Sequence, residues 1–319
     1  MDVACLGILV ADVFANPIGR LPAEGELTTT SGFVTSVGGC AANVAVDLSI
    51  LGRSATVAGK VGNDMFGDFV ISDLRRREVG VEHIRRAATQ STSGTVILTV
   101  EGEDRRYLHA IGANAEFSLD DVDFALLDQV RVLYVGGHLA MPALTPDQLV
   151  LLLREAKRRG VITVLDVVMP AGVVFGPDHV ASALSWTDYI LPNEDEAQRL
   201  TGRPGARAQA ESLNALNEDC VVVITRGRHG SVAKHRGGFI DTQPFRMETV
   251  DESGAGDAFT AGLITGLLEG WALDYTLSFA SAVGASCTRA LGCSAGVFTF
   301  DEAVAFLEQR TAQASGMER

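Results

Sequence analysis

Short apolar runs alternate with segments of helical period along nearly the whole 319-residue chain. That rhythm predicts an α/β fold, a doubly wound and mostly parallel sheet flanked by helices. Two further observations agree. Gly52, Gly80, Gly160 and Gly202 fall near the ends of helical segments, where a left-handed residue is often needed. The length also suits one large domain, because a single core stops growing at roughly 250–300 residues. Strands are expected at 3–9, 55–61, 130–135, 162–166, 189–191 and 221–225, with helices between them at 41–51, 66–77, 146–159, 194–200 and 207–216. The region after Gly254 reads as helical at 258–268 and 273–289, and the polar tail 308–319 is expected to fray.

Two stretches break the rhythm. Residues 13–37 contain Pro17, Gly19, Pro22 and Gly25 and the β-branched run Thr28-Thr29-Thr30, which reads as extended strands with turns. Residues 93–110 place two β-rich runs around a Gly102-Glu103-Asp104 turn, a hairpin signal. Together they could form a small sheet outside the main fold, serving as a lid, as a dimer surface, or as mere surface decoration.

Composition excludes several functions. With 26 Lys and Arg against 40 Asp and Glu, the formal charge is −14, and no run of basic residues offers a footprint for nucleic acid or an anionic membrane. The five cysteines are scattered and lack a C-x-x-C pair, so free thiols in a reducing, cytoplasmic setting are expected rather than disulfides or a zinc knuckle. No signal peptide is read at the first residues, and no apolar run approaches the roughly 18 residues of a membrane span.

The densest chemical signal is Asp251-Glu252-Ser253-Gly254-Ala255-Gly256-Asp257, followed by an apolar helical run. Glycines at a helix start leave backbone N–H groups open, and with the helix dipole they form a site for an anion such as phosphate. Asp257, in the first turn, is either a helix-start residue or a base aimed at a hydroxyl beside that phosphate, and local pattern alone favours the former. Neither a Walker loop nor a dinucleotide fingerprint is present. Gly292-Cys293-Ser294-Ala295-Gly296 has the letters of a hydrolase elbow without its strand-to-helix context. Gly38 and Gly39 stand before a helix that carries Asn43 one turn in, and Asp12 follows the first strand at its carboxyl end, where ligands of open α/β sheets gather. Asn193 and Glu196 open another helix one turn apart, a spacing that suits Mg²⁺ held through waters or simple capping by Asn193.

In this order, Asp12, Gly38-Gly39 through Asn43, Gly59-Lys60-Val61-Gly62-Asn63-Asp64 with Gly67, Asn193 through Glu196, Thr225-Arg226-Gly227 with Gly230, and Gly254-Ala255-Gly256-Asp257 resemble the ribokinase-like or PfkB family of carbohydrate kinases. The resemblance spans residues 3 to about 300. It implies a single domain, 1–319, with a Rossmann-type core and a β-sheet lid of about 13–37 and 93–110. It also implies roles. Asp257 would be the base, with Gly254, Ala255 and Gly256 as the anion hole; Asp12, Gly38, Gly39 and Asn43 would bind the sugar. Asn193, Thr225, Gly227 and Gly230 would line the nucleotide, Asn193 and Glu196 would organise Mg²⁺, and Asp166 would lie near the phosphates.

The activity that the resemblance implies is that of an ATP- and Mg²⁺-dependent kinase acting on a primary hydroxyl of a small neutral sugar, fructose- or ribose-like. Val167-Val168-Met169-Pro170 lack the Asn and Arg that sugar-acid kinases of the family often carry. A nucleoside kinase of the same fold is the alternative, disfavoured by an aromatic content of only 6%; a catalytically silent sugar sensor is a third reading. Glu252 is an unusual extra carboxylate that should point away from the polyphosphate. The loop 289–297 corresponds to a monovalent-cation loop, but Gly296 replaces a frequent Ser ligand, which leaves K⁺ activation open. A homodimer through the lid is a further expectation.

Overall fold

The computed structural model describes residues 1–103, 105–170 and 172–316. The chain begins with β1 (Val3–Gly7), β2 (Val10–Ile18) and β3 (Phe33–Gly38), then α1 (Cys40–Ile50), β4 (Ala55–Val61), α2 (Met65–Arg76) and β5 (Gly80–Arg86). A hairpin of β6 (Gly94–Val100) and β7 (Arg106–Ala110) follows, then β8 (Val132–Gly136), α3 (Pro146–Arg158), β9 (Ile162–Leu165), α4 (Asp178–Leu184) and β10 (Tyr189–Ile190). The last third holds α5 (Glu194–Thr201), α6 (Ala206–Asn214), β11 (Val221–Thr225), β12 (Ser231–His235), β13 (Gly238–Thr242), α7 (Ala255–Glu269), α8 (Leu273–Cys287) and α9 (Phe300–Gly316).

Among the described residues, nine strands form one sheet in the order β13-β12-β11-β10-β9-β8-β1-β4-β5, parallel from β11 to β5 and antiparallel at β12 and β13. The sheet is buried on both faces, as parallel sheets are. Val3 and Cys5 of β1 join one core with α1, α7 and α8, while Ala4 and Leu6 join the other with α3, α5 and α6. Helices α7 and α8 approach closely because small residues face each other. A Cβ at Gly262 would stand 2.7 Å from the Ala280 Cα, and one at Gly266 would meet Thr276.

The two irregular stretches do build a separate four-stranded sheet, ordered β3-β2-β6-β7. Here β2 runs parallel to β6 and antiparallel to β3, so the small sheet is not a simple pair of hairpins. Register puts Asp12, Phe14, Thr95 and Ile97 on one face, and Val13, Phe33, Val96 and Leu108 on the other. Phe14 and Ile97 are buried, whereas Phe33, Val96 and Leu108 are exposed.

Several local expectations change. Residues 19–32, including the threonine run, belong to no strand, because Pro22 and Gly25 interrupt pairing before β3 resumes. At the end of α2 the left-handed position is taken by Glu78 (φ 61), and Gly80 instead opens β5, which the periodicity missed. The β12–β13 hairpin and α4 were also missed. Helix α9 continues through the tail to Gly316, and 317–319 lie outside the described residues, as does Asp104 of the hairpin turn. No helix of the described residues is long and apolar enough to cross a membrane.

The α7–α8 contact gives a direct test of packing. Gly262→Val should destabilise the protein by about 1–3 kcal/mol through overpacking, read as a lower thermal midpoint. An unchanged midpoint would show that the two helices can separate freely.

Candidate active site

The parallel strands deliver their carboxyl ends to one edge of the main sheet, and most of the sequence-predicted residues lie there. The chain leaves β1 at Gly7 and enters β2, which carries Asp12 into the small sheet. Asp166 follows β9, Asn193 and Glu196 follow β10, and Thr225 ends β11. An isolated parallel bridge links Asn193 to Thr225, and the Thr225 N–H donates to the Pro192 carbonyl at 3.2 Å.

Helices α1 and α7 supply the centre. Gly39 caps α1 without a side-chain hydrogen bond, and the first helical bond runs from the Asn43 N–H to the Gly39 carbonyl. Gly38 leaves room for the Asp12 carboxylate, which a Cβ there would force to shift. Gly254 caps α7 in a left-handed conformation (φ 77), again with no side-chain cap, so the helix start is left for a ligand. The Ala255 N–H turns toward the Glu252 carbonyl at a long 3.3 Å, and Glu252 itself is exposed. Asp257 stands in the first turn, where its carboxylate accepts a 2.8 Å hydrogen bond from Asn43 Nδ2. Asp257 therefore turns inward to α1 instead of capping its own helix.

Electrostatics sharpen the picture. Burial pushes the Asp257 carboxyl up to about 6, while the Asn43 amide and the Cys40 thiol hold it down. Asp12 is also raised by burial, with a Thr95 hydrogen bond pulling the other way. Asp166 lies well above the usual carboxylate range, through burial and then through the charges of Glu196 and Asp257, and Tyr134 Oη donates to it at 3.3 Å. Burial carries Glu196 to about 7. A carboxylate oxygen of Asp166, one of Asp257 and the Cys40 sulfur lie within 4.8 Å of one another. The half-buried carboxylates of Asp166 and Asp257 could hold a hard divalent cation, whose charge would draw both toward the ionised form, while the Cys40 thiol is a poor ligand for such an ion.

Asn193 and Glu196 make a reciprocal capping box on α5, each side chain accepting the other's backbone N–H at 2.9 Å. This is the capping geometry of the two readings, and Glu196 also lies close enough to Asp166 for their charges to interact. Gly227 and Gly230 form the turn between β11 and β12, where the Arg226 N–H bonds the Gly230 carbonyl at 2.8 Å. The turn shares the carboxyl edge with Asn193 but makes no described hydrogen bond to the α7 start.

The loop 289–297 packs on the turn before α7. The Gly292 N–H donates to Asp251 Oδ2 at 2.9 Å, and the Cys287 thiol points to the carbonyls of Cys293 and Ser253. Asp251 also accepts from Ser253 N–H at 2.8 Å and from Arg105 at 2.7 Å. The carboxylate that touches this loop thus already has a cationic partner in Arg105. Ser294 lies between α8 and α9, away from any strand-to-helix elbow.

Four further residues emerge from the structure: Cys40, Thr95, Arg105 and Asp47, whose buried carboxyl is raised well above the usual range by burial and further by the charge of Asp257. Cys40 and Asp47 had a signal, for the first adjoins the glycine pair and the second lies four positions after Asn43, on the same helical face. Thr95 and Arg105 had none, because cross-strand register and long-range ion pairs leave no trace in spacing.

A family model described as pfkB family carbohydrate kinase matches residues 1–299. The chain is 27% identical over 314 residues to a 5-dehydro-2-deoxygluconokinase of Clostridium perfringens, with 92% of each chain covered. It is 28% identical over 309 residues to a ribokinase of Haemophilus influenzae, covering 95% of this chain and 97% of that one. A structure of Arabidopsis thaliana ribokinase complexed with ribose and ATP superposes with a TM-score of 0.81 at 22% identity, covering 96% of this chain and 98% of that chain, which shows the shared fold. Family model, relatives and architecture converge, and the chain belongs to the pfkB family of carbohydrate kinases, phosphotransferases that act on sugars.

Proposed function

We propose that this kinase transfers the γ-phosphoryl group of ATP to a primary hydroxyl of a small neutral sugar, with Asp257 as the general base. The observation that carries this reading is the 2.8 Å hydrogen bond from Asn43 to Asp257, which joins an acceptor-side residue to the base beside an uncapped helix start. In this reading Asp12, Gly38, Gly39 and Asn43 hold the sugar hydroxyls. Asp257 then takes the proton of the attacking hydroxyl, and the N–H groups of Gly254, Ala255 and Gly256 stabilise charge on the transferring group. The long Ala255 bond to Glu252 is weak enough for a phosphoryl oxygen to displace. Asn193, Thr225, Gly227 and Gly230 line the nucleotide, and Asn193 and Glu196 would hold Mg²⁺ through waters. Bound Mg²⁺ supplies positive charge against the polyphosphate.

The neutral acceptor is favoured by charge. Asp12 and Asp257 face the acceptor side with Asn43, a setting that repels a sugar carboxylate. One observation favours a sugar acid instead: Arg77 lines a cavity of about 50 Å³ with Asn43 and Ser36, although Asp73 pairs with it at 2.8 Å. The name of the Clostridium perfringens relative points the same way. The small sheet acts as the lid, its outer face of Phe33, Val96 and Leu108 meets a second copy in a homodimer, and the enzyme works in the cytoplasm.

Turnover of Mg²⁺-ATP across ribose, fructose, other ketoses, 5-dehydro-2-deoxygluconate and nucleosides tests the substrate. A signal with the acid alone would replace the neutral reading. Asp257→Asn should lower kcat by about 10²–10⁴-fold while leaving sugar-induced thermal stabilisation in place. Unaltered turnover would remove Asp257 as base.

The pH profile provides an independent check. A base must be ionised, so kcat should climb with pH to about 6 and level off above it. In Asn43→Ala the charged form loses a hydrogen-bond donor, and the acid limb should move to higher pH. Gly38→Ala should raise the sugar KM about tenfold or more by displacing Asp12, with the ATP KM little changed.

A further inference from the structure

The small sheet is tied to the main domain at two widely separated places. At the near end Asn114 brackets Leu9, with its Oδ1 accepting from the Leu9 N–H and its Nδ2 donating to the Leu9 carbonyl, both at 3.0 Å. The far end is the turn between β6 and β7, and Arg105 extends from it to the segment just before α7. Its guanidinium lies 2.7 Å from Asp251 Oδ1 and 3.0 Å from Ser253 Oγ. The Asp251 side chain is fully buried, and that of Arg105 is only 19% exposed.

Asp251 is a junction of three segments. One oxygen takes the Ser253 N–H and the Arg105 guanidinium, and the other takes the Gly292 N–H of the loop after α8. Burial alone would push this carboxyl up, but the hydrogen bonds from Gly292, Ser253 and Arg105 hold it below the usual range. Deprived of its guanidinium, this buried carboxylate keeps the Gly292 and Ser253 N–H bonds but loses its charge partner, which favours protonation, entry of water or movement. Three residues later stands Gly254, held against Cys293 with no room for a Cβ, so a shift of Asp251 is transmitted directly to the start of α7.

We propose that Arg105 is a positioning residue for phosphoryl transfer: its guanidinium, seated on Asp251 and Ser253, fixes the sheet that carries Asp12 and the turn that carries the Gly254–Gly256 N–H groups in one working relation. The inference rests on the function proposed above, because it takes that turn as the anion hole. It assigns to the hairpin tip a role in the chemistry beyond covering the site. Closure of the small sheet and completion of the anion hole become one event, since the same cation takes part in both.

Arg105→Ala should lower kcat about 10- to 100-fold and raise the sugar KM, with the ATP KM little changed. Arg105→Lys should recover part of the loss, having the charge but not the planar fork that spans Asp251 and Ser253. Millimolar guanidinium should restore Arg105→Ala and leave Asp257→Asn inactive. Amide hydrogen exchange in Arg105→Ala should quicken in both 94–110 and 252–256. Wild-type kcat and sugar KM in Arg105→Ala, or faster exchange confined to the hairpin, would overturn the proposal. Absence of phosphoryl transfer by the wild type on any sugar would instead defeat the proposed function, and the exchange experiment would still decide whether the tip holds the turn.

Discussion

Asn43 and Asp257 are 214 positions apart in sequence, and the hydrogen bond between them fixes how the two halves of the site meet. Asn43 is one turn into α1, whose start is packed against the end of β1 and beside Asp12. Asp257 is in the first turn of α7, whose start is left open by Gly254. Asn43 with Asp12 and the uncapped helix start are brought into register because α1 and α7 pack side by side on the same face of the sheet. A carboxylate in such a recess is costly to ionise, and the Asn43 and Cys40 donors offset part of that cost.

The charge distribution around this bond follows a single logic. Asp12, Asp166, Glu196 and Asp257 are all raised by burial, at the edge of the sheet where a kinase must receive a polyanion. The N-termini of α1 and α7 point their positive ends into the same region, and a divalent cation would complete the balance. Asp251 differs from these four because the Gly292 and Ser253 N–H groups and the Arg105 guanidinium hold its carboxyl below the usual range.

The small sheet is more than an appendage. Its buried face presents Asp12 and Thr95, its root is held by Asn114, and its tip is held by Arg105. Under the role proposed for Arg105, this double anchoring is what places Asp12. Its opposite face, with Phe33, Val96 and Leu108 exposed, is the apolar surface that an isolated protomer leaves in water.

The sequence by itself determined the parallel core, because strands buried on both faces read as continuous apolar runs and crossover helices carry their own period and caps. It also determined the small separate sheet and the family, since glycines before a helix and acidic or amide residues at strand ends are local patterns. Edges escaped: β5, β12 and β13 mix polar with apolar residues, and their pairing is set by neighbours distant in sequence. The site was legible as a set of residues and illegible as an arrangement. Spacing left Asp257 more a helix-start residue than a base, and Asn193 as much a cap as a ligand. Tertiary structure turned Asp257 toward Asn43, while keeping Asn193 and Glu196 in a capping box close enough to Asp166 for the Glu196 charge to act on it. It alone revealed Arg105 on Asp251, because an ion pair across 146 positions depends on the curl of a hairpin over the domain, and no local property of either residue encodes that approach.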